Sequence, residues 1–271
     1  MKRIVYCLLS IVYCLCACSP PNRSEESEER DIALKNNISR ITEYRTILNL
    51  GGILLKEQVS REKLFDKNGF KIKEITHYDD GTIENIISLS YDKNGNLIFR
   101  KAVKPDSSVS FSDKRIYDEN NNKTDYYFYN PDGSVLYRKP AIYDKEGRMI
   151  ESRMYHDGEF KAVNKYKYVA KRMIENYECD EIGNFRHKWV YRYDERKNLI
   201  EEAQYKTDND FSPLKNRYEY NAANLMVKET KYIGEEIQSW FIYEYNDKKL
   251  LSAKNEYVSG RFASKFRYQY E

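Results

Sequence analysis

Three histidines, one cysteine far from the N-terminus and many carboxylates are the residues of this chain that could do chemistry. His77, His156 and His187 lie far apart, and none has Cys, His, Asp or Glu at the spacing of a metal ligand set, so no metal site is expected. Cys179 has no partner motif, and the chain has no HExxH, no phosphate-cradling glycine loop and no GxSxG. A glycosidase-type carboxylate pair needs only to meet in space at about 5–9.5 Å, so a hydrolase with an unrecognised pair stands as a third reading. Asp92-Lys93-Asn94-Gly95-Asn96 and Asp118-Glu119-Asn120-Asn121-Asn122 open like calcium loops. They lack the later glycine and the bidentate glutamate, and hairpin-turn chemistry explains them. No catalytic residue and no cofactor is expected. The remaining chemical resource is aromatic: there are 26 tyrosines, and stacked rings bind sugars or partner proteins. Trp240 is the candidate contact, because it shares its strand parity with Glu244 and opposes Phe241, Tyr243 and Tyr245.

The rings are positioned by a repeat. Phe65, Tyr91, Tyr117, Tyr143, Tyr168, Tyr193, Tyr220, Tyr245 and Tyr270 recur every 25 to 27 residues, usually with Asp or Asn behind them. Each unit reads as two strands and two turns. Asp at the first turn position and Gly at the fourth favour a type I turn closed by a bulge. Returning strands alternate, as in Phe266, Tyr268 and Tyr270 between Lys265, Arg267 and Gln269, so one face packs and the other is wet. The fold class is therefore all-β: a long antiparallel meander of ~26-residue hairpins. About seventeen strands at ~4.8 Å would make a sheet near 80 Å wide, which must curl into a superhelical or barrel-like form with its aromatic face inward.

The N-terminus is an address. Lys2 and Arg3 precede an apolar run from Ile4 to Leu15, too short for the ~20 residues that cross a hydrocarbon layer. Leu15-Cys16-Ala17-Cys18 resembles a bacterial lipobox, which implies cleavage after residue 17 and a diacylglycerol on Cys18. Palmitate-type acyl chains there would anchor the chain to a membrane, each buried CH₂ contributing ~0.8 kcal/mol. Without Lys2 and Arg3 the mature chain has 44 basic against 43 acidic residues, so no electrostatic drive toward nucleic acid is expected. Residues 18–30, with two prolines and four glutamates, read as a disordered tether. An acidic stretch behind a lipidated cysteine resembles the surface-export signal of Bacteroidota lipoproteins. From Asp31 the spacing of Leu34, Ile38, Ile41, Tyr44 and Leu48 predicts an amphipathic helix over 31–50, plugging an edge or open end of the repeats over 53–271.

Tyr91–Leu97 (YDKNGNL), Tyr143–Met149 (YDKEGRM), FDKNGF and YDERKNL resemble the YD-repeat (Rhs) family. The resemblance implies a curling β-meander; long members of that family form shells around toxins. This chain has longer repeats and about eight full copies, so a toxin shell is not expected. Together these features resemble a YD-repeat lipoprotein of the bacterial cell envelope, on the outer membrane and either periplasmic or surface-exposed. The leading functional reading is a non-catalytic binding or scaffold surface for protein, and the alternative is a glycan-binding lipoprotein.

Overall fold

The computed structural model describes residues 25–48, 53, 56–206 and 214–271. One helix, α1 (Glu25–Asn36), precedes the strands. The first are β1 (Arg40–Ile47), β2 (Gln58–Phe65), β3 (Lys71–His77), β4 (Ile83–Tyr91), β5 (Leu97–Val103) and β6 (Val109–Tyr117). Next come β7 (Lys123–Tyr129), β8 (Val135–Arg138), β9 (Ala141–Tyr143), β10 (Met149–His156), β11 (Glu159–Val169) and β12 (Arg172–Asp180). The series ends with β13 (Phe185–Tyr193), β14 (Leu199–Tyr205), β15 (Leu214–Tyr220), β16 (Met226–Ile233), β17 (Glu236–Tyr245), β18 (Leu251–Val258) and β19 (Arg261–Tyr270).

Apart from β8 and β9, which do not pair with each other, each strand pairs antiparallel with its sequence neighbours, and β1 pairs with both β19 and β2, so the meander closes on itself. Pro140, which has no N–H for the ladder, interrupts one strand into β8 and β9, and β10 pairs with both pieces. Nineteen strands thus close as an 18-strand barrel. Closure leaves no exposed sheet edge along the described wall, and a wall of this strand number can surround an aqueous channel.

The turns fall at two ends. At the near end, Asp66, Asp92, Asp118, Asp144 and Asn221 each accept two backbone N–H bonds, from the residues two and four positions on. The fourth turn residue takes positive φ whether it is Gly95 (φ 84), Asn121 (φ 62), Lys197 (φ 77) or Asn224 (φ 64). The irregular turns therefore keep the geometry of the glycine-containing ones. A register shift follows each of these turns, at Ser90/Tyr91, Ile116/Tyr117 and Glu219/Tyr220 for example, as a bulge-closed type I turn requires.

The anchor tyrosines form a ladder on the inner wall. Tyr91 donates its hydroxyl proton to the Lys71 carbonyl, Tyr117 to Leu97, Tyr143 to Lys123 and Tyr168 to Met149. Tyr193, Tyr220, Tyr245 and Tyr270 do the same to Met173, Leu199, Met226 and Leu251. All eight bonds span 2.7–3.1 Å and tie each repeat to the preceding one. Burial pushes the hydroxyls of Tyr91, Tyr193, Tyr220 and Tyr270 up to about 12.

Two expectations are corrected at the start of the chain. The helix lies at Glu25–Asn36, taking in the last six residues of the stretch expected to be a disordered tether and the first six of the expected helix, and Arg40–Ile47 is strand β1 rather than part of a helix over 31–50. The apolar residues of 38–48 fit a three-to-four spacing, but Ile41, Thr42, Thr46 and Ile47 also fit a strand rich in β-branched residues. Tertiary structure decides: β1 supplies both ladders that close the sheet, and ladder bonds outweigh local propensity. Seventeen repeat strands plus β1 make up the eighteen positions. Residues 1–17 and Cys18 lie outside the described residues.

Candidate functional site

The residues expected to do chemistry stay apart. His77 ends β3 beside a far-end turn, its ring nitrogens 3.2 Å from the Gly81 carbonyl and 3.1 Å from Glu62 Oε1. His156 lies against Tyr137, and Cys179 is a half-buried free thiol on β12. His187 faces Glu178 across β12 and β13. No group of three or more His, Cys, Asp or Glu side chains is placed to hold a metal ion among the described residues. Asp92 and Asp118 spend their carboxylates on backbone amides and on Asn96 and Asn122. Those hydrogen bonds, working against some desolvation at Asp92, hold both below the ordinary aspartate range.

Trp240 lies on the outer wall. Its register partners are Thr230 and Tyr257, and it stacks on Tyr257 at 5.1 Å with planes 7° apart. Tyr257 meets Phe262 edge-on at 5.7 Å. The three rings form a half-buried surface strip at the far end of β17 to β19. Elsewhere the outer rings carry cations: Arg267 over Tyr44 at 4.0 Å, Lys215 and Arg217 over Tyr232 at 5.1 and 5.3 Å, and Lys167 over Tyr177 at 5.4 Å. Lys165, Arg217 and Arg267 project from the inner part of their strands on this face, and Lys167 and Lys228 lie nearer the strand ends. A cation at mid-depth of a bilayer costs a barrel about 2–4 kcal/mol, and the same face also exposes Phe99, Ile116, Ile150 and Ile200.

The inner wall holds groups that the sequence did not single out. On one side, Tyr218 donates to Glu202 at 2.7 Å, Tyr243 to Glu229 at 2.8 Å and Tyr191 to Asn176 at 3.1 Å. Burial first, and the adjacent carboxylates second, push the Tyr218, Tyr243 and Tyr268 hydroxyls up, with Glu43 the neighbour of Tyr268. Lys254 stands among them, 4.2 Å from the Phe241 ring centre and 5.1 Å from that of Phe266, and burial pulls its ammonium down. The visible signal was a tyrosine two residues before the anchor, in Tyr218, Tyr243 and Tyr268; its acceptor lies on the preceding strand for Tyr218 and Tyr243 and beside Tyr268 on β1.

On the other side the wall is ionic and meets α1. Glu29 pairs with Lys63 and with Lys71 at 3.0 Å, and Glu26 with Arg115 at 3.2 Å. Asp113, fully buried, pairs with Arg100 at 2.6 Å and Arg115 at 3.4 Å. Burial works against both helix carboxylates, yet the cations overcome it and hold Glu26 and Glu29 below the usual glutamate range. This contact puts the helix over the near mouth. The sequence hid it, because α1 turns its charged residues to the barrel.

No protein-family model matches the chain, and no curated protein matches it in sequence. Among solved structures it is similar to a porin-like protein from Bacteroides uniformis, at 8% identity and a TM-score of 0.49, over 86% of this chain and 96% of that one. A porin-like protein from Bacteroides vulgatus is similar at 12% identity and a TM-score of 0.32, over 86% and 98%. The TcdB2–TccC3 structure is similar at 12% and 0.36, where the match covers 81% of this chain but 15% of that one. Neither identity nor superposition is high enough to transfer a function.

Proposed function

We propose that this is a non-catalytic lipoprotein of the bacterial cell envelope, held to a membrane by acylated Cys18, with a YD-repeat-like barrel standing in water as a binding or scaffold surface for protein. The observation that carries the reading is the charged outer wall, with Lys165, Arg217 and Arg267 away from the strand ends. A wall of that kind needs an anchor elsewhere, and Leu15-Cys16-Ala17-Cys18 supplies one. The test is fractionation of wild type and Cys18→Ala with palmitate labelling. A labelled wild type in the membrane fraction and an unlabelled, soluble variant support the reading. A variant that stays in the membrane after carbonate or urea washing would show that the barrel itself spans, and would end it.

The second reading is glycan binding, favoured by the parallel stack of Trp240 on Tyr257 at the surface. A flat pair of rings suits the apolar face of a sugar. A glycan array with wild type and Trp240→Ala decides it: loss of a specific signal in the variant supports it, and a blank array for wild type removes it.

A further inference from the structure

Helix α1 is docked with an unexpected face inward. Ile32 and Leu34 are 42% and 54% exposed, while Glu26 and Glu29 reach the barrel wall. Its apolar attachment is small: Ala33 packs with Ile38, Phe65 and Leu250. A permanent plug would gain more by burying its aliphatic residues, since a fully buried leucine or isoleucine contributes roughly 1.5–3 kcal/mol. This helix is held by charge.

The wall it meets is rich in cations. Lys63, Lys71, Arg100 and Arg115 arrive from β2, β3, β5 and β6. The wall's own counter-charges there are Glu74, shared by Lys71 and Arg61, and Asp113, shared by Arg100 and Arg115. Tyr91, Tyr117 and Tyr270 face the same space as neutral phenols. The balance is completed by Glu26 and Glu29. Arg115 Nε faces Asp113 Oδ1 at 3.4 Å and Lys71 bridges Glu29 and Glu74, so the cations of this pocket are shared among single carboxylates. An oxyanion with several acceptor oxygens suits this set better than two separate carboxylates, because guanidinium and ammonium groups can share one centre of charge.

We propose that Lys63, Lys71 and Arg115 form an anion site at the near mouth of the barrel, that α1 fills it with its own carboxylates, and that a multivalent oxyanion of the oligophosphate class displaces the helix and opens the mouth. The site is independent of the outer rings and of the membrane anchor.

Hydrogen exchange on the mature, full-length protein tests this, with tripolyphosphate as probe and sodium chloride at matched ionic strength as control. Amides of α1 should exchange at least tenfold faster with saturating tripolyphosphate while those of β17 to β19 stay protected. The double variant Glu26→Gln, Glu29→Gln should show fast α1 exchange without any probe, and should bind tripolyphosphate at least tenfold more tightly by calorimetry. Protection of β17 to β19 in the variant shows that the barrel is intact; if it is not, the wild-type titration decides alone. Equal acceleration by sodium chloride would reduce the effect to screening and overturn the anion site. So would a probe that leaves α1 protected in wild type.

Discussion

The two ends of the barrel use the same hairpin chemistry and come out differently. At the near end, aspartates lock the turns, tyrosine hydroxyls tie each repeat to the last, and Asn94 and Asn96 bridge to Asn121 in the next turn at 3.0 and 2.9 Å. Phe65, Leu97, Met173 and Leu250 are buried there, and α1 lies across the mouth. At the far end Asp80, Asp106 and Asp132 lock their turns through Thr82, Ser108 and Ser134. Aliphatic residues stand exposed at both ends, Val135, Leu214, Ile233 and Val258 here and Ile72, Ile116, Ile142, Ile150, Val169 and Ile200 at the near end, but among the described residues only the near end carries a helix. Turn chemistry makes a hairpin. What sets the near end apart is the helix docked on its ionic wall and the tyrosine rungs beside it.

The largest effect is expected inside the near half. Asp113→Ala leaves Arg100 without its buried partner and Arg115 with Glu26 alone, and should lower stability by about 3–5 kcal/mol in urea unfolding. A loss below ~1 kcal/mol would show that the ionic wall does not hold that half together. Next comes a matched pair of glycines. Gly69 has φ +76, and an added Cβ would lie 2.7 Å from the Arg30 carbonyl oxygen of α1. Gly133 has φ +89 at the far end, with nothing within 4 Å. Both alanine variants bear the left-handed strain of about 1–2 kcal/mol. Gly69→Ala must also shift the helix, so it should cost about 1 kcal/mol more; equal losses would mean that α1 is not seated on that turn.

Much of this contrast was legible and part of it was not. The period of the anchors, the turns and the inward rings could be read because each depends on residues within one repeat. The closing strand could not: Ile41 to Ile47 satisfies helical and strand spacing equally, and what decides is a ladder to β19, more than two hundred residues away. The ionic wall was invisible for a related reason. Glu26 and Arg115 are remote in sequence, and a helix that buries glutamate looks like a solvated one until its partners are known. Parity set Trp240 opposite Phe241, Tyr243 and Tyr245, but its stack on Tyr257 needed the register of β17 and β18.

Smaller effects sharpen the comparison. Tyr245→Phe removes one rung to the Met226 carbonyl and should cost about 1 kcal/mol, measurable as a shift of the urea midpoint at unchanged slope. Acid should separate the ends further. Glu26 and Glu29 have folded values below their ordinary 4.5, so their stabilisation of α1 is present above about that pH and fades as pH falls through the lower folded values. Proteolysis of α1 across that range should therefore rise before the barrel strands lose protection. Simultaneous loss would mean that the helix and wall open as one unit.

The smallest expected effect belongs to the far end. Ile182 is 80% exposed in the turn between β12 and β13, where Asp180 already accepts the Ile182 and Asn184 amides. Its side chain buries little, so Ile182→Ser should change stability by less than about 0.5 kcal/mol. The same turn keeps its geometry through Gly183, whose φ of +87 the substitution leaves alone. A loss above ~1 kcal/mol in urea unfolding would place Ile182 in a contact that closes the far mouth, and the difference between the two ends would then be one of degree. A neutral result fits an end whose apolar residues contribute to what the barrel meets rather than to what holds it together.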